Sequence, residues 1–244
     1  MNILTTGVSE ARNTAAQERK GCSDRDMTGA IFDMDGLLLD TECIFQRTWR
    51  EMAAERGVTL DESFTAAVCG NSREGTKSVL ARWFPGTDTE AFMTEATRRV
   101  FEKEASTIPL KKGTLTILEG MRAEGWRLAV ASSSGTEMVL RNLRVAGIDH
   151  LFDAIVSGPD VVHGKPAPDI FLYAAGRIGV PPADCYVFED SLNGIRAGYA
   201  SGARAVMIPD MIPPTEEIRA LCFGIWPDLG TAWTQILRGH SRGV

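Results

Sequence analysis

The chain has few histidines, no paired cysteine motif, no long apolar run and no excess of positive charge, and each lack narrows what it can be. Its three histidines, His150, His163 and His240, are too scattered in sequence for a histidine metal centre. His163 stands near Lys165 and reads as a surface residue of that loop. The five cysteines, Cys22, Cys43, Cys69, Cys185 and Cys222, are odd in number and none falls in a C-x-x-C pair. That pattern points to reduced, mostly buried thiols in a cytoplasmic protein rather than a disulfide framework. No apolar run approaches the length of a membrane span. Residues 1–27 are polar, lack an apolar signal core and are expected to be a disordered extension. With a net charge of −6 and no basic cluster on an expected helix, there is no electrostatic footprint for nucleic acid. An anionic small molecule stays open as a partner, because a local site can be positive inside an acidic protein. No internal repeat or low-complexity tract appears, and a monomer is compatible with everything seen.

What is present is an ordinary globular composition: 244 residues, 44% hydrophobic and 24% charged, enough for one large domain or two modest ones. Gly29-Ala30-Ile31-Phe32 is a short apolar run that breaks into Asp33-Met34-Asp35-Gly36. This reads as a buried strand opening into a turn that carries two carboxylates. Strand side chains alternate, so positions 33 and 35 leave on one side and Met34 on the other. Two carboxylates that close cannot both ionise freely. Such a pair is equipped for nucleophilic and general acid/base work, or for a divalent metal.

Residues 41–107 show helical spacing with no convincing strand. Four short helices are expected there, on the apolar sets Ile44, Trp49, Met52 and Ala53; Phe64, Ala67 and Val68; Val79, Leu80 and Trp83; and Ala91, Phe92, Ala96, Val100 and Phe101. Gly57, Gly70-Asn71 and Pro85-Gly86 separate them. Beyond residue 108, strands expected at 126–131, 154–156, 185–188 and 204–208 alternate with helices at 114–123, 136–145, 168–178 and 191–200. That alternation implies an α/β fold, a Rossmann-like parallel sheet with helices on both faces. The core then comprises residues 28–40 and 108–244, and the four-helix unit, 41–107, is an insertion after the first strand, tethered at about 37–40 and 107–112.

In such a sheet the ligand lies beyond the carboxyl ends of the strands. Four strand ends deliver chemistry to that rim. The first carries Asp33 and Asp35; the next, Ser132-Ser133-Ser134-Gly135; the third, Gly164-Lys165-Pro166; the fourth, Glu189-Asp190-Ser191. Each group alone has a plainer reading, as a serine helix cap, a solvated lysine or an acidic helix start. All four in this order at successive strand ends do not.

On these four motifs the chain resembles the haloacid dehalogenase superfamily of phosphoryl-transfer enzymes, over about residues 28–240. The helical insertion resembles the small α-helical cap of its β-phosphoglucomutase-like and sugar-phosphate phosphatase members. The resemblance implies a Mg²⁺-dependent phosphatase acting on a small phosphorylated metabolite, with Asp33, Asp35, Ser132 and Lys165 catalytic. The physics agrees that cations are needed. One pair of like unit charges about 4 Å apart costs roughly 4 kcal/mol at an effective dielectric of about 20, and a phosphate dianion roughly doubles that. Mg²⁺ suits an oxygen shell of few carboxylates plus phosphate and water. Asp33, Asp190 and the main-chain carbonyl of Asp35 are its expected ligands, with Glu189 as a helper. Lys165 is expected to neutralise remaining charge and hold Asp33 ionised, and Ser132, with Ser133 and nearby backbone N–H groups, to take a phosphoryl oxygen. Asp35 argues against dehalogenation, because the dehalogenases of the superfamily lack this second aspartate.

Selection among esters is expected of the cap. Asn71, Arg73 and Glu42 are the candidate substrate contacts, beside Thr41 at the hinge. Asn71-Ser72-Arg73-Glu74 also has the form of a helix-capping box. A β-phosphoglucomutase-type mutase is the alternative enzyme, but mutases of this kind carry a lysine where Gly135 stands. Phosphonate hydrolysis would need a Schiff-base lysine in the cap, where Lys77 and Lys103 read as exposed helix residues. A non-catalytic binding protein on the same fold is a third reading.

Overall fold

The computed structural model describes residues 28–68, 73–104 and 107–241. The expected extension at 1–27 and the candidate contact Asn71 lie outside these residues.

Six strands form one sheet: β1 Gly29–Phe32, β2 Arg127–Ala131, β3 Ala154–Val156, β4 Cys185–Glu189, β5 Arg204–Met207 and β6 Gly224–Ile225. Their order is β3-β2-β1-β4-β5-β6 and every pairing is parallel. β1 is wholly buried because it is central and covered on both faces, which is why it reads as an unbroken apolar run. Its residues alternate between two cores. Ala30 and Phe32, followed by Met34, pack into one cluster; Ile31 packs into the other with Ala129, Ala131 and Val187. In register, Phe32 lies opposite Phe188 and the two rings stack with centroids 4.7 Å apart.

The first face is covered by α5 Thr114–Ala123, α6 Thr136–Val145 and α10 Leu229–Ser241, and the second by α7 Asp169–Ile178 and α8 Leu192–Ala200. Between β1 and α5 run α1 Thr41–Ala54, α2 Glu62–Val68, α3 Arg73–Trp83 and α4 Thr89–Glu104. These helices have an apolar cluster of their own, with Trp49 stacked on Phe92 at 5.7 Å and Phe84 against Phe92 at 4.7 Å. The two chain crossings beside them run antiparallel: Leu39 bridges Leu110, Asp40 N donates to Pro109 O at 2.8 Å, and Lys111 N to Leu38 O at 3.0 Å. Among the described residues no helix is long and apolar enough to cross a membrane.

Three details depart from the sequence reading. Ala91 is exposed, because Phe92, Ala96 and Val100 at four-residue spacing make the buried stripe of α4 and position 91 lies beside it. Ile44 and Val100 pack into the cluster under the sheet rather than with the other helices, since they sit where α1 and α4 approach the crossings. Beyond Ile208 the chain adds α9 Glu216–Leu221, β6 and α10, none of them expected from the sequence.

Candidate active site

Going out from β1 the chain turns into the sheet β3-β2-β1 on one side, and it returns through β4 to form the other side. The carboxyl ends of β1 and β4 therefore flank the point where the strand order reverses, the place where open α/β sheets leave a crevice. Asp33 is tied to it by its backbone N–H, which donates to Phe188 O at 3.0 Å. Glu189 is the last residue of β4, buried, with Asp190 directly after it.

Lys165 joins these groups. Its ammonium donates to Asp33 Oδ1 at 2.5 Å, to Glu189 Oε1 at 2.6 Å and to Ala131 O at 3.0 Å. Three donors meet three acceptors, so the charge is fixed in direction. Burial works against that charge, but Asp33 and Glu189 outweigh it and raise the lysine pKa. The other Glu189 oxygen accepts from Asp190 N at 3.1 Å, Ser191 N at 3.0 Å and Ser191 Oγ at 2.9 Å. Room for this carboxylate comes from Gly194: a Cβ there would lie 1.8 Å from the Glu189 carboxyl carbon.

The Asp33-to-Asp35 turn is closed by Gly36, at φ +79°, whose N–H donates to Leu39 O at 3.0 Å. A Cβ on Gly36 would be strained there and would lie 2.6 Å from Asp190 Oδ2. The glycine thus lets the Asp190 carboxylate close over the turn. The turn also presents Asp35 to three hydroxyls: Thr41 Oγ1 at 3.1 Å, Ser134 Oγ at 3.0 Å and Ser132 Oγ at 3.4 Å. Ser132 is buried and accepts from Ser134 N at 3.1 Å, whereas Ser133 is exposed.

The electrostatics follow from burial. Asp33 is pushed up to about 7, chiefly by burial; Lys165 lowers it, while Glu189 and Asp35 raise it. Lys165, shared with Glu189, favours the ionised form of Asp33, and burial works against it. Asp190 is raised well above the usual carboxylate range by burial, then by Glu189 and Asp33. Asp35 is raised by burial, with its bonds to Ser134, Thr41 and Ser132 offsetting part of the rise.

The structure thus brings together Asp33, Asp35, Ser132, Lys165, Glu189 and Asp190. Glu42 and Arg73 lie at the starts of α1 and α3, on the helical side, and their side chains are outside what is described. Two further residues were missed. Ser134 was legible only as part of a serine run, and Gly194 left no sequence signal.

The chain matches the haloacid dehalogenase-like hydrolase family over residues 27–202. It belongs to that family. It is 34% identical over 184 residues to the fructose-1-phosphate phosphatase of Escherichia coli, covering 73% of this chain and 94% of that one. It is 32% identical over 184 residues to the phosphorylated carbohydrates phosphatase of Thermotoga maritima, covering 74% and 84%. Its fold is similar to that of a haloacid dehalogenase family hydrolase from Deinococcus radiodurans solved with bound phosphate and sodium, at TM-score 0.76 and 26% identity, covering 88% and 96%.

The donor set of this hydrolase fits a divalent cation. Apart from its own backbone N–H, the Asp190 carboxylate has no hydrogen-bond donor among the described residues, and it faces Asp33 and Glu189 across a single lysine. One more cation would relieve all three. Among the described residues no cage of three or more His, Cys, Asp or Glu side chains converges.

Proposed function

We propose that this hydrolase is a Mg²⁺-dependent phosphatase that cleaves a small phosphorylated metabolite, of the sugar-phosphate kind, through an aspartyl phosphate on Asp33. One observation supports the reading above the others: the two aspartates have different company. Asp33 is bound by Lys165 and lies beside Asp190, whereas Asp35 is held by three hydroxyls and no cation. That separation suits a nucleophile and a proton carrier.

Asp33, Asp190 and the main-chain carbonyl of Asp35 would hold the metal. When bound it would offset the charge of the phosphate and of the carboxylates around it. Glu189 has both oxygens engaged, so its part is to position Lys165 and the Asp190 loop. Lys165, its three donors engaged, offsets phosphoryl charge through its field, while the Ser132 hydroxyl, with backbone N–H groups beside it, receives phosphoryl oxygens. A carboxylate oxygen of Asp33 attacks phosphorus in line as the ester P–O bond breaks. Asp35, whose proton affinity burial raises, acts as the general acid and gives a proton to the leaving alkoxide. As a carboxylate it then takes a proton from the water that attacks phosphorus, and the Asp33 P–O bond breaks to release phosphate. The helical insert serves as the cap over the site, with Asn71, Arg73 and Glu42 as its candidate substrate contacts and Thr41 linking α1 to Asp35.

A mutase of the β-phosphoglucomutase type needs the same four motifs. Gly135 weighs against it. Its φ is −67° and nothing lies within 4 Å of where its Cβ would be, so the backbone does not require glycine there, yet the lysine of the mutases is absent. The test is turnover of a panel of phosphate esters with and without Mg²⁺, β-glucose 1-phosphate and fructose 1-phosphate included, scoring free phosphate and glucose 6-phosphate together. Metal-dependent phosphate release without isomer formation is expected. Glucose 6-phosphate forming faster than free phosphate would overturn the phosphatase reading in favour of the mutase.

A further inference from the structure

The reaction so far makes no use of a cleft of about 630 Å³ between α1 and the loop that follows β5. Its α1 wall includes Cys43, Arg47, Arg50 and Ala54, spaced three and four residues apart on one helical face, and its opposite wall is Asp210 and Met211. Arg47 and Arg50 are exposed, and among the described residues neither side chain forms a hydrogen bond or an ion pair. Other arginines of the insert are engaged: Arg98 with Glu95 and Glu102, Arg99 with Glu55 and Glu95, Arg56 with Met52 O.

The three carboxylates lining the cleft do not satisfy these guanidinium groups, because each has a cation elsewhere. Asp210 is paired with Lys111 at 2.6 Å, Asp40 lies 3.8 Å from the same lysine, and Glu51 is paired with Lys103. Three carboxylates are thus outnumbered by four cations. Two residues of its lining, Asp40 and Asp210, lie beside the segment that carries the reacting groups. Asp40 immediately precedes Thr41, which binds Asp35. Asp210 Oδ2 lies 3.4 Å from the position of a Cβ on Gly36, the turn over which Asp190 closes. Arg47 stands six residues along α1 from Thr41, about 9 Å of helix rise.

We propose that this cleft is the subsite for the part of the substrate that is not transferred, and that Arg47 and Arg50 select a substrate bearing a second anionic group remote from the cleaved ester. Carboxylate and phosphate are both bound well by a planar guanidinium fork, so an acidic sugar phosphate and a bisphosphate share the chemistry. The inference rests on the phosphatase reading and names the substrate class of that same site.

The test uses matched esters with and without the distal anion: fructose 1,6-bisphosphate against fructose 1-phosphate, and 3-phosphoglycerate against glycerol 3-phosphate. For the wild type, kcat/KM is expected to favour the anionic member of at least one pair by about tenfold or more, mainly through KM. In R47A/R50A that ratio should fall towards one, with R47K/R50K retaining part of it. The pair that shows the preference says whether carboxylate or phosphate is the group. No preference in the wild type for either pair, or an unchanged ratio in R47A/R50A, overturns the inference while leaving the phosphatase intact. Should the wild type release phosphate from no ester, the phosphatase reading fails, and calorimetric titration of Asp33→Asn with the same pairs decides the cleft alone. Tighter binding of the anionic member that is lost on adding R47A/R50A upholds it; equal binding of both members overturns it.

Discussion

At the carboxyl edge of the sheet, Asp33, Glu189 and Asp190 crowd around one lysine out of water, and burial drives Asp33 up to about 7. On the helical insert, Glu55 and Glu95 lie at the surface against Arg98 and Arg99, and hydrogen bonds from Arg98, then Arg99, pull Glu95 down to about 2. Both are carboxylates beside cations, and the shifts are opposite. Where water can solvate the charge, a neighbouring arginine settles the matter; where it cannot, desolvation wins over the one cation present. The first arrangement is reactive and costly, the second is cheap and replaceable.

That contrast can be broken most severely at Asp33. Asp33→Asn should lower kcat on the order of 10⁴-fold or more, because no other group can form the acyl phosphate. The fold should survive, since the amide keeps the shape of the site. Steady-state turnover beside a thermal melt checks both, and full activity would sink the covalent route.

Lys165→Ala should harm both activity and stability. It leaves Asp33 and Glu189 buried without their cation, a change that typically costs about 3–5 kcal/mol. For a chain of this size that lowers Tm on the order of 10 °C, measurable by calorimetry. A loss of activity with Tm unmoved would mean that the ion pairs carry no net stabilisation.

Gly194→Ala asks whether the sheet-edge site depends on clearance as well as charge. The added methyl would meet the Glu189 carboxyl at 1.8 Å and force it to move, taking Lys165 with it. Stability should fall by about 1–3 kcal/mol. Turnover should fall too, although Gly194 has no side chain to contribute. Wild-type kinetics in this variant would show that Glu189 is not needed where it sits.

The smallest effect is expected on the insert. Glu95 and Glu55 have pKa values below their ordinary 4.5, so their stabilisation is complete above about pH 4.5 and is lost as pH falls through the lowered values, about 2 for Glu95. In melts over that range Glu95→Gln should flatten the pH slope slightly, and added salt should shrink the difference further, because these pairs are open to solvent. A large change in Tm would contradict the view of the insert's charges as replaceable.

How much of this was legible depended on the kind of contact. The apolar runs at β1, β2 and β4 and the four-residue stripe of α4 showed their periods directly. β6 did not: two half-buried residues have no period, and they are a strand only because β5 is there to pair with them. α10 presents Leu229, Ala232, Trp233 and Ile236 at helical spacing, a readable stripe that the sequence reading passed over. At the site, Asp33, Asp35, Ser132, Lys165, Glu189 and Asp190 were all named in advance, while Ser134's bond to Asp35 was not.

By itself the sequence determined the element order and the rim on which the reactive groups stand. A chain that alternates strands and helices in parallel must bring its strand ends, and whatever follows them, to one edge. Only the tertiary structure decided that one ammonium is shared between Asp33 and Glu189, residues 156 positions apart in the chain, that Asp190 closes over Gly36, and that two arginines of α1 face an open cleft. Those outcomes turn on burial and on packing between distant segments, and desolvation sets the sign of each charge's response only once the fold has taken the water away.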